Sequence, residues 1–356
     1  MSGTSADGVD AVVIEVDGAA FAHGRPFLRL LGHHASAYPD ALHHAVMDAA
    51  ADKLRPSELC VLQRRLGEHH AHAALSLQQS LGLSIDFASL HGQTVQHRPE
   101  AGATLQLADP YLLAHRLACP VVWDLRRMDM ALGGQGAPLV PLTELWLRGQ
   151  AEPWAALNLG GIANITLWDG QQVRAWDVGP GMSLLDLAAR RWLGIPYDPE
   201  GAYADGEVAE ALLDGFLSHP HFQAMPPKST GREVFGLDWL DQHAPTLEGL
   251  PIGARLATLA AFTAEAVARE LTRLPHLPSK GLLSGGGSHH RRVRQELQHR
   301  LPGLPFELDE HFPTGTREAV SWALLGAASA AGVPGNLPEV TGASGPAVLG
   351  SWTVFR

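Results

Sequence analysis

Two cysteines, Cys60 and Cys119, are all that the 356 residues contain. That is too few to frame so long a chain with disulfides, and the scarcity points to a reducing compartment such as the cytoplasm. Positive charge is also scarce: 26 basic residues stand against 37 acidic ones, a formal charge of -11, and no stretch is dense in lysine and arginine. A chain of that sign lacks the broad basic footprint that nucleic acid or an anionic membrane requires, so anionic ligands must be met by local sites. No long hydrophobic run reads as a leader or a membrane span. The most apolar helix candidate, AVSWALLGAASAAG, is short, rich in small residues and bounded by Glu318 and Pro334, and it reads as a packed internal helix.

A phosphate-loop lysine is missing as well. The opening stretch MSGTSADGVD offers Gly3 and Gly8 for close backbone approach and the Thr4 and Ser5 hydroxyls as donors to anionic oxygens. Asp7 sits where a bare phosphate would be repelled unless a divalent cation lay between them. The loop therefore hints at a metal-bound nucleotide, against the plainer reading of an ordinary polar turn.

What the chain does have is apolar content, 46% of residues, enough for a sizeable core, and a length that favours about two domains. Residues 54–83 carry apolar side chains at helical spacing, predicting one long or two shorter amphipathic helices. IDFASLHGQTV predicts a short strand opening into a polar loop at His91, Gly92, Gln93 and Thr94, and VVWDLRRMD repeats the design with Asp124, so that the two strand ends share a cleft. The second half restarts the pattern of the first: WAALNLGGIANITLWDG is strand, Gly-Gly turn, strand and Asp-Gly turn, as GTSADGVDAVVIEVDG is turn, strand and Asp-Gly turn. Two similar hairpins imply two similar domains, and the comparison raises the expectation that a strand belongs ahead of the first loop. A third cluster, GLLSGGGSHH, precedes the helical RRVRQELQHRL. Three loops of one grammar, at Gly3, Gly160 and Gly285, suit a nucleotide held between two α/β lobes.

Nineteen histidines suggest a rival reading as a metal protein. In GEHHAHA, however, Glu68, His69, His70 and His72 lack the spacing of two ligands flanking a base, and adjacent helical histidines point different ways, so they are expected to be exposed.

The spaced set GTSADGVD, HGQTV, GGQGAPLVP, NLGGIANIT, DVGPG, PPKSTGREVF, SGGGS and VTGA resembles the anhydro-N-acetylmuramic acid kinase family along nearly the entire chain. That family belongs to the hexokinase, actin and heat-shock chaperone superfamily. The resemblance implies an α/β protein of two ribonuclease H-like domains with a central interdomain cleft for ATP, magnesium and substrate, and a cytoplasmic homodimer that engages neither nucleic acid nor membrane. The boundaries expected are 1–125 with about 335–356 for the first domain and 126–334 for the second. The implied reaction, set in peptidoglycan recycling, opens a 1,6-anhydro amino sugar with water and phosphorylates the freed 6-oxygen. It implies lobes that close on the ligand, admitting one water to the sugar while protecting ATP.

By the same resemblance Asp177 matches the catalytic aspartate, a base that activates water. It is expected to end a strand, QVRAW, and enter the Gly179-Pro180-Gly181 turn. Gly3, Thr4, Ser5, Ala6, Asp7, Gly8, Val9 and Asp10 form the expected first phosphate loop, with Asp7 near magnesium through water. Gly160 and Gly161 form the second, and Gly285, Gly286 and Gly287 flank the nucleoside. For a sugar bearing an N-acetyl group and a lactyl carboxylate the candidates are His91, Gln93, Arg126, Asp129, Gln135 and Glu318. Arg126 is placed to pair the carboxylate or, equally, to bridge to Asp124 or Asp129. The chain departs from the family pattern at Met182, where Asn is usual after GPG, at Val178 and at Met128. KSTGRE, residues 228–233, matches the family but suggests no role by its chemistry.

Overall fold

The computed structural model describes residues 1–3, 6–23, 26, 28–226, 228–309, 312–313 and 315–354. The chain divides into two compact units, one made of 1–149 and 315–356, the other of 150–314. Segments 126–149 and 315–334, expected in the second domain, thus pack with the first unit, and their side chains show why. Glu144, buried on the helix Val140–Arg148, pairs with both Arg148 and Arg317, and Thr143 Oγ1 donates to Ser321 Oγ at 2.8 Å. These ties join that helix to Arg317–Ala330, leaving the second unit as the continuous stretch between them.

In the first unit, β1 (Gly8–Val16) and β2 (Leu28–Ala37) form an antiparallel hairpin. β3 (Ala88–Leu90) and β6 (Val121–Trp123) are parallel neighbours, with the short strand Ser351–Trp352 on the far side of β6. Between them in sequence, β4 (Gln93–Arg98) pairs with β5 (Ala103–Leu107). The expected loop at 91–94 is therefore only His91 and Gly92, because Gln93 already begins β4. Pairing of β3 with β6 brings Leu90 opposite Trp123, which sets the two strand ends side by side.

The region at 54–83 forms one helix, Pro56–Leu81. Leu62, Leu66 and His70 fall four residues apart and share its buried face. This corrects the expectation of exposed histidines. His72 is exposed, but His70 is 3% exposed, with Nε2 2.8 Å from Ser2 Oγ, and His69 is half-buried beside Ser36. Among the described residues no group of three or more histidine, cysteine or acidic side chains is placed to hold a metal. The helix Arg317–Ala330 packs on β1, β3 and β6, coming close enough to β3 that a Cβ on Gly326 would lie 2.5 Å from that of Ser89. It is the internal helix expected, and no helix among the described residues is long and apolar enough to cross a membrane.

The second unit is built on one five-stranded sheet. β7 (Trp154–Leu159), β8 (Ile162–Trp168) and β9 (Val173–Pro180) run antiparallel as a meander; β10 (Lys280–Ser284) and β11 (Phe306–Leu308) continue parallel to β7 on its other side, giving the order β11-β10-β7-β8-β9. A meander of three strands followed by two parallel additions beside the first is the ribonuclease H-like arrangement. β7 is apolar on both faces, Trp154, Ala155, Ala156 and Leu157 all being buried, as a central strand requires. The helix Ile252–Thr272 is buried over nearly its whole circumference and packs against β9 and the helix Arg291–Arg300. Phe216, Phe222, Phe235 and Trp239 gather with Phe262 of this helix in one aromatic cluster.

Candidate active site

Asp177 lies within β9, because that strand continues to Pro180 and does not stop at Trp176. Its Cα partner across the ladder is Asn164 of β8, whose own partner is Asn158 of β7. Directly opposed residues on adjacent strands share a face with Cβ atoms about 5 Å apart, so an amide, an amide and a carboxylate line up across three strands. All three are half-buried. Among the described residues neither amide has a hydrogen-bond partner in the protein, whereas Asp177 has two. Ser229 Oγ donates to Asp177 Oδ2 at 2.8 Å and the Thr230 N–H donates to the same oxygen at 3.1 Å.

The glycine turns surround the end of this row. Gly160 C=O accepts from the Met182 N–H at 2.7 Å, and Gly161 C=O accepts from Gly181 and Ser183, both at 3.0 Å. These bonds stitch the β7–β8 turn to the turn that follows Asp177. Gly285 holds φ at 79°, and a Cβ there would stand 2.5 Å from Asn158 Oδ1. A Cβ on Gly287 would press on the Met182 side chain and on Leu159 Cβ. Met182 thus fills the space between the two glycine motifs. Gly286 is exposed with open space where a side chain would be, and the Arg232 guanidinium lies over Gly161. Asp186, one turn into the helix Ser183–Leu193, has its carboxyl raised above the ordinary range by loss of water, against the pull of Arg190, Arg232 and His290.

In the first unit the opening loop turns at Ala6, which has φ of 55°, and Gly3 C=O accepts from the Ala6 N–H at 3.2 Å and Gln93 Nε2 at 3.1 Å. Asp7 is exposed at the loop end. Gly8, Val9 and Asp10 belong to β1; Val9 faces the core and Asp10 Oδ1 is 2.9 Å from His33 Nε2. Thr4 and Ser5 lie outside the described residues.

The sugar-side candidates separate into two groups. His91, Arg126 and Glu318 converge. His91 Nδ1 donates to Gly92 C=O at 2.9 Å, which leaves Nε2 bare to accept from Arg126 Nη2 at 3.0 Å. Burial first, and Arg126 next, hold the imidazole well below its ordinary pKa, so it is neutral. Arg126 also donates to Gly136 C=O at 2.8 Å and lies 4.8 Å from the Trp322 ring centroid. Its pKa is pushed down to about 10 by burial, partly opposed by Glu318, whose own carboxyl is raised by desolvation and lowered by Arg126. Neither acid expected to bridge to Arg126 does so: Asp124 pairs with Arg127, and Asp129 is turned elsewhere.

Gln93 and Asp129 form the other group. Both are 0% exposed and bonded within the protein. Gln93 Oε1 accepts from the Tyr38 hydroxyl while its amide reaches Gly3, so it braces the opening loop. Asp129 accepts from the Gly136 N–H at 2.8 Å, Asn336 Nδ2 at 2.7 Å and Thr341 Oγ1 at 2.7 Å, locking the GGQG turn to the VTGA segment. Gln135, between them, is exposed and bonded through its backbone N–H to Thr341 C=O.

Sequence reasoning missed Asn158, Asn164 and Ser229. The two amides carried a signal, a polar residue interrupting apolar strands in WAALNL and IANITLW. Ser229 carried none that spacing can read, because its partner is 52 residues away.

The family model described as anhydro-N-acetylmuramic acid kinase matches residues 1–354. A protein of that name from Synechococcus sp. (strain CC9605) is 42% identical over 372 residues, covering 98% of this chain and 97% of its own length. Another, from Cupriavidus pinatubonensis (strain JMP 134 / LMG 1197), is 40% identical over 370 residues, covering 99% and 96%. Among solved structures, a ROK family glucokinase from Streptomyces griseus in complex with glucose and AMPPNP is 14% identical with a TM-score of 0.39, over 89% of this chain and 99% of that one. So distant a likeness bears on nothing in the site.

Proposed function

The chain belongs to the anhydro-N-acetylmuramic acid kinase family, and on that premise we propose that it opens the 1,6-anhydro bond of anhydro-N-acetylmuramic acid with water and transfers the terminal phosphoryl group of ATP to the freed 6-oxygen. Asp177 is the general base. It takes a proton from water as the water oxygen bonds to the anomeric carbon; the bond from that carbon to the 6-oxygen breaks; the 6-oxygen then displaces ADP from the γ-phosphorus. The product is N-acetylmuramic acid 6-phosphate, a step in peptidoglycan recycling.

The observation that carries this reading is the carboxylate of Asp177, held through one oxygen at the end of a polar row between two glycine turns. Asn158 and Asn164 offer amides to substrate or phosphate oxygens. Gly286, which has open space beside its backbone, and the Gly160-Gly161 and Gly285-Gly287 turns around it are the backbone offered to a nucleotide, and the loop from Gly3 with the start of β1 through Asp10 takes part in phosphate binding. On the sugar side Arg126 meets the lactyl carboxylate. Neutral His91 orients it by accepting its N–H, which leaves its charge uncancelled. Glu318 bonds a sugar hydroxyl or amide. Gln93 and Asp129 shape the pocket from behind, while Gln135 reaches the sugar from its exposed turn.

Magnesium fits as an ion carried by the nucleotide, since the described residues form no carboxylate or histidine cage and Mg²⁺ commonly keeps waters and phosphate oxygens as ligands. Asp7 would hold it through water. When bound, the ion neutralises charge on the phosphates. We place the reaction in the cytoplasm and the working form as a homodimer, which analytical ultracentrifugation would test.

Replacing Asp177 by Asn tests the assignment of the base. Loss of a general base costs about 10²- to 10⁴-fold in rate, so turnover is expected to fall by at least two orders of magnitude while ATP affinity changes less than threefold. Wild-type turnover by Asp177→Asn would remove Asp177 from the mechanism.

A further inference from the structure

KSTGRE has no role in the reaction as derived so far, yet it is the segment that touches the base. We propose that Ser229 is a positioning residue for Asp177, and that residues 228–230 form a brace that fixes which carboxylate oxygen faces the reacting water. The proposal rests on the reading of Asp177 as the base.

The geometry begins at the edge of the sheet. Among the described residues β9 is the last strand in its order, with no strand on its outer side, and the Asp177 N–H donates to the Lys228 carbonyl at 3.2 Å. From there the chain turns back onto the side chain of the same aspartate. Ser229 Oγ and the Thr230 N–H both meet Oδ2, and among the described residues no protein group donates to Oδ1. An aspartate's terminal torsion is a soft, broad, two-fold rotor. Two donors converging on one oxygen remove that freedom and leave the other oxygen as the open acceptor, the state a base requires before water arrives.

The brace is itself anchored at its first residue. Lys228 Nζ, on a side chain 5% exposed, donates to Glu270 Oε1 and to His221 C=O, each at 2.9 Å, and Glu270 is 2% exposed on the helix Ile252–Thr272. A serine on a loose loop would trade Asp177 for water at little cost. This one is exposed, but its backbone is tied to the unit's central helix within one residue. The Ser229–Asp177 bond also joins residues 52 apart, so it is tertiary and is not the local turn that Ser and Asp commonly form.

The test is steady-state kinetics on the full chain with both substrates varied, for Ser229→Ala, Ser229→Thr and Asp177→Asn beside wild type, with thermal melts. Misplacing a catalytic group by about 1 Å can cost about 100-fold in rate, and the Thr230 N–H remains in Ser229→Ala. The expected result is therefore a fall in kcat of about 5- to 30-fold, with KM for ATP and for sugar and the melting temperature unchanged, and recovery of most of kcat in Ser229→Thr. Wild-type kcat in Ser229→Ala overturns the proposal. So does a loss that threonine fails to restore, or one accompanied by a matching fall in melting temperature. Should Asp177→Asn itself turn over at the wild-type rate, the failure belongs to the assignment of the base and not to the brace.

Discussion

The two units solve one problem differently. In the second, five strands form an unbroken sheet, and the residues proposed for chemistry sit on its ladder: Asn158, Asn164 and Asp177 are in register across β7, β8 and β9. In the first, the strands fall into separate pieces among the described residues. β1 has only β2 for a strand partner and β3 only β6, while the helix Arg317–Ala330 packs on both β1 and β3. Met1 exchanges two backbone bonds with Asp10 on β1. Placement in the first unit therefore falls to buried polar side chains. His70 holds Ser2, Gln93 holds Gly3, Asp129 holds the GGQG turn, and His91 holds Arg126. A ladder positions by repetition and tolerates change at one place, whereas a buried polar network positions each group singly and fails when one member gains a charge.

Breaking the anchor of the second unit is expected to have the largest effect. Lys228→Ala leaves Glu270 in a nearly dry site with Arg273 as its remaining cation; losing both partners of such a buried acid would cost about 3–5 kcal/mol, so losing one should lower the unit's melting temperature by several degrees. Acid should next separate the units. Folded His70 has its pKa pushed down from 6.5 to about 3 by burial. Between those values the unfolded chain binds the extra proton, so stability falls as pH drops from 6.5 toward 3. His91 adds to the effect in the same direction. Hydrogen exchange followed by mass spectrometry at pH 5 should show the first unit opening before the second, and His70→Gln should narrow the difference.

Smaller effects sharpen the contrast. Gly285→Ala forces a side chain into the left-handed region against Asn158, at a cost of about 1–3 kcal/mol, readable in a melt. Arg126→Gln removes a charge-assisted partner and should raise KM for the sugar about tenfold or more with KM for ATP unchanged. The Met1 ammonium, pushed down from 8.0 to about 6 by burial, opposes folding as pH falls from 8 to 6. Thermal melts across pH 6 to 8 should show this as a small loss of stability toward pH 6.

Much of the second unit was legible in the sequence. Strand, Gly-Gly turn, strand and Asp-Gly turn predict the first strands of the sheet, because turn glycines and apolar runs are local properties, whereas Asp177 was matched by resemblance to the family. The end of β9 was misplaced because a strand's extent depends on its neighbour in the ladder, here β8. In the first unit the polar residues of HGQT and RRMDM read as ligands, since sequence does not distinguish a polar side chain facing a pocket from one bonded within the protein; Gln93 donates to the Gly3 carbonyl, and Asp129 accepts from the Gly136 N–H, Asn336 and Thr341. His70 was readable in principle, four residues beyond Leu66 on an apolar stripe, but its doubled histidine neighbour drew attention to metal spacing. Ser229 and the pairing of Glu144 with Arg317 link distant parts of the chain, and no pattern of either segment alone encodes them.

ADP release measured with anhydro-N-acetylmuramic acid, with an ordinary amino sugar, and with no sugar tests the account most directly. It predicts ATP turnover only with the anhydro sugar. Equal turnover with the ordinary sugar, or the same rate with none, would contradict it.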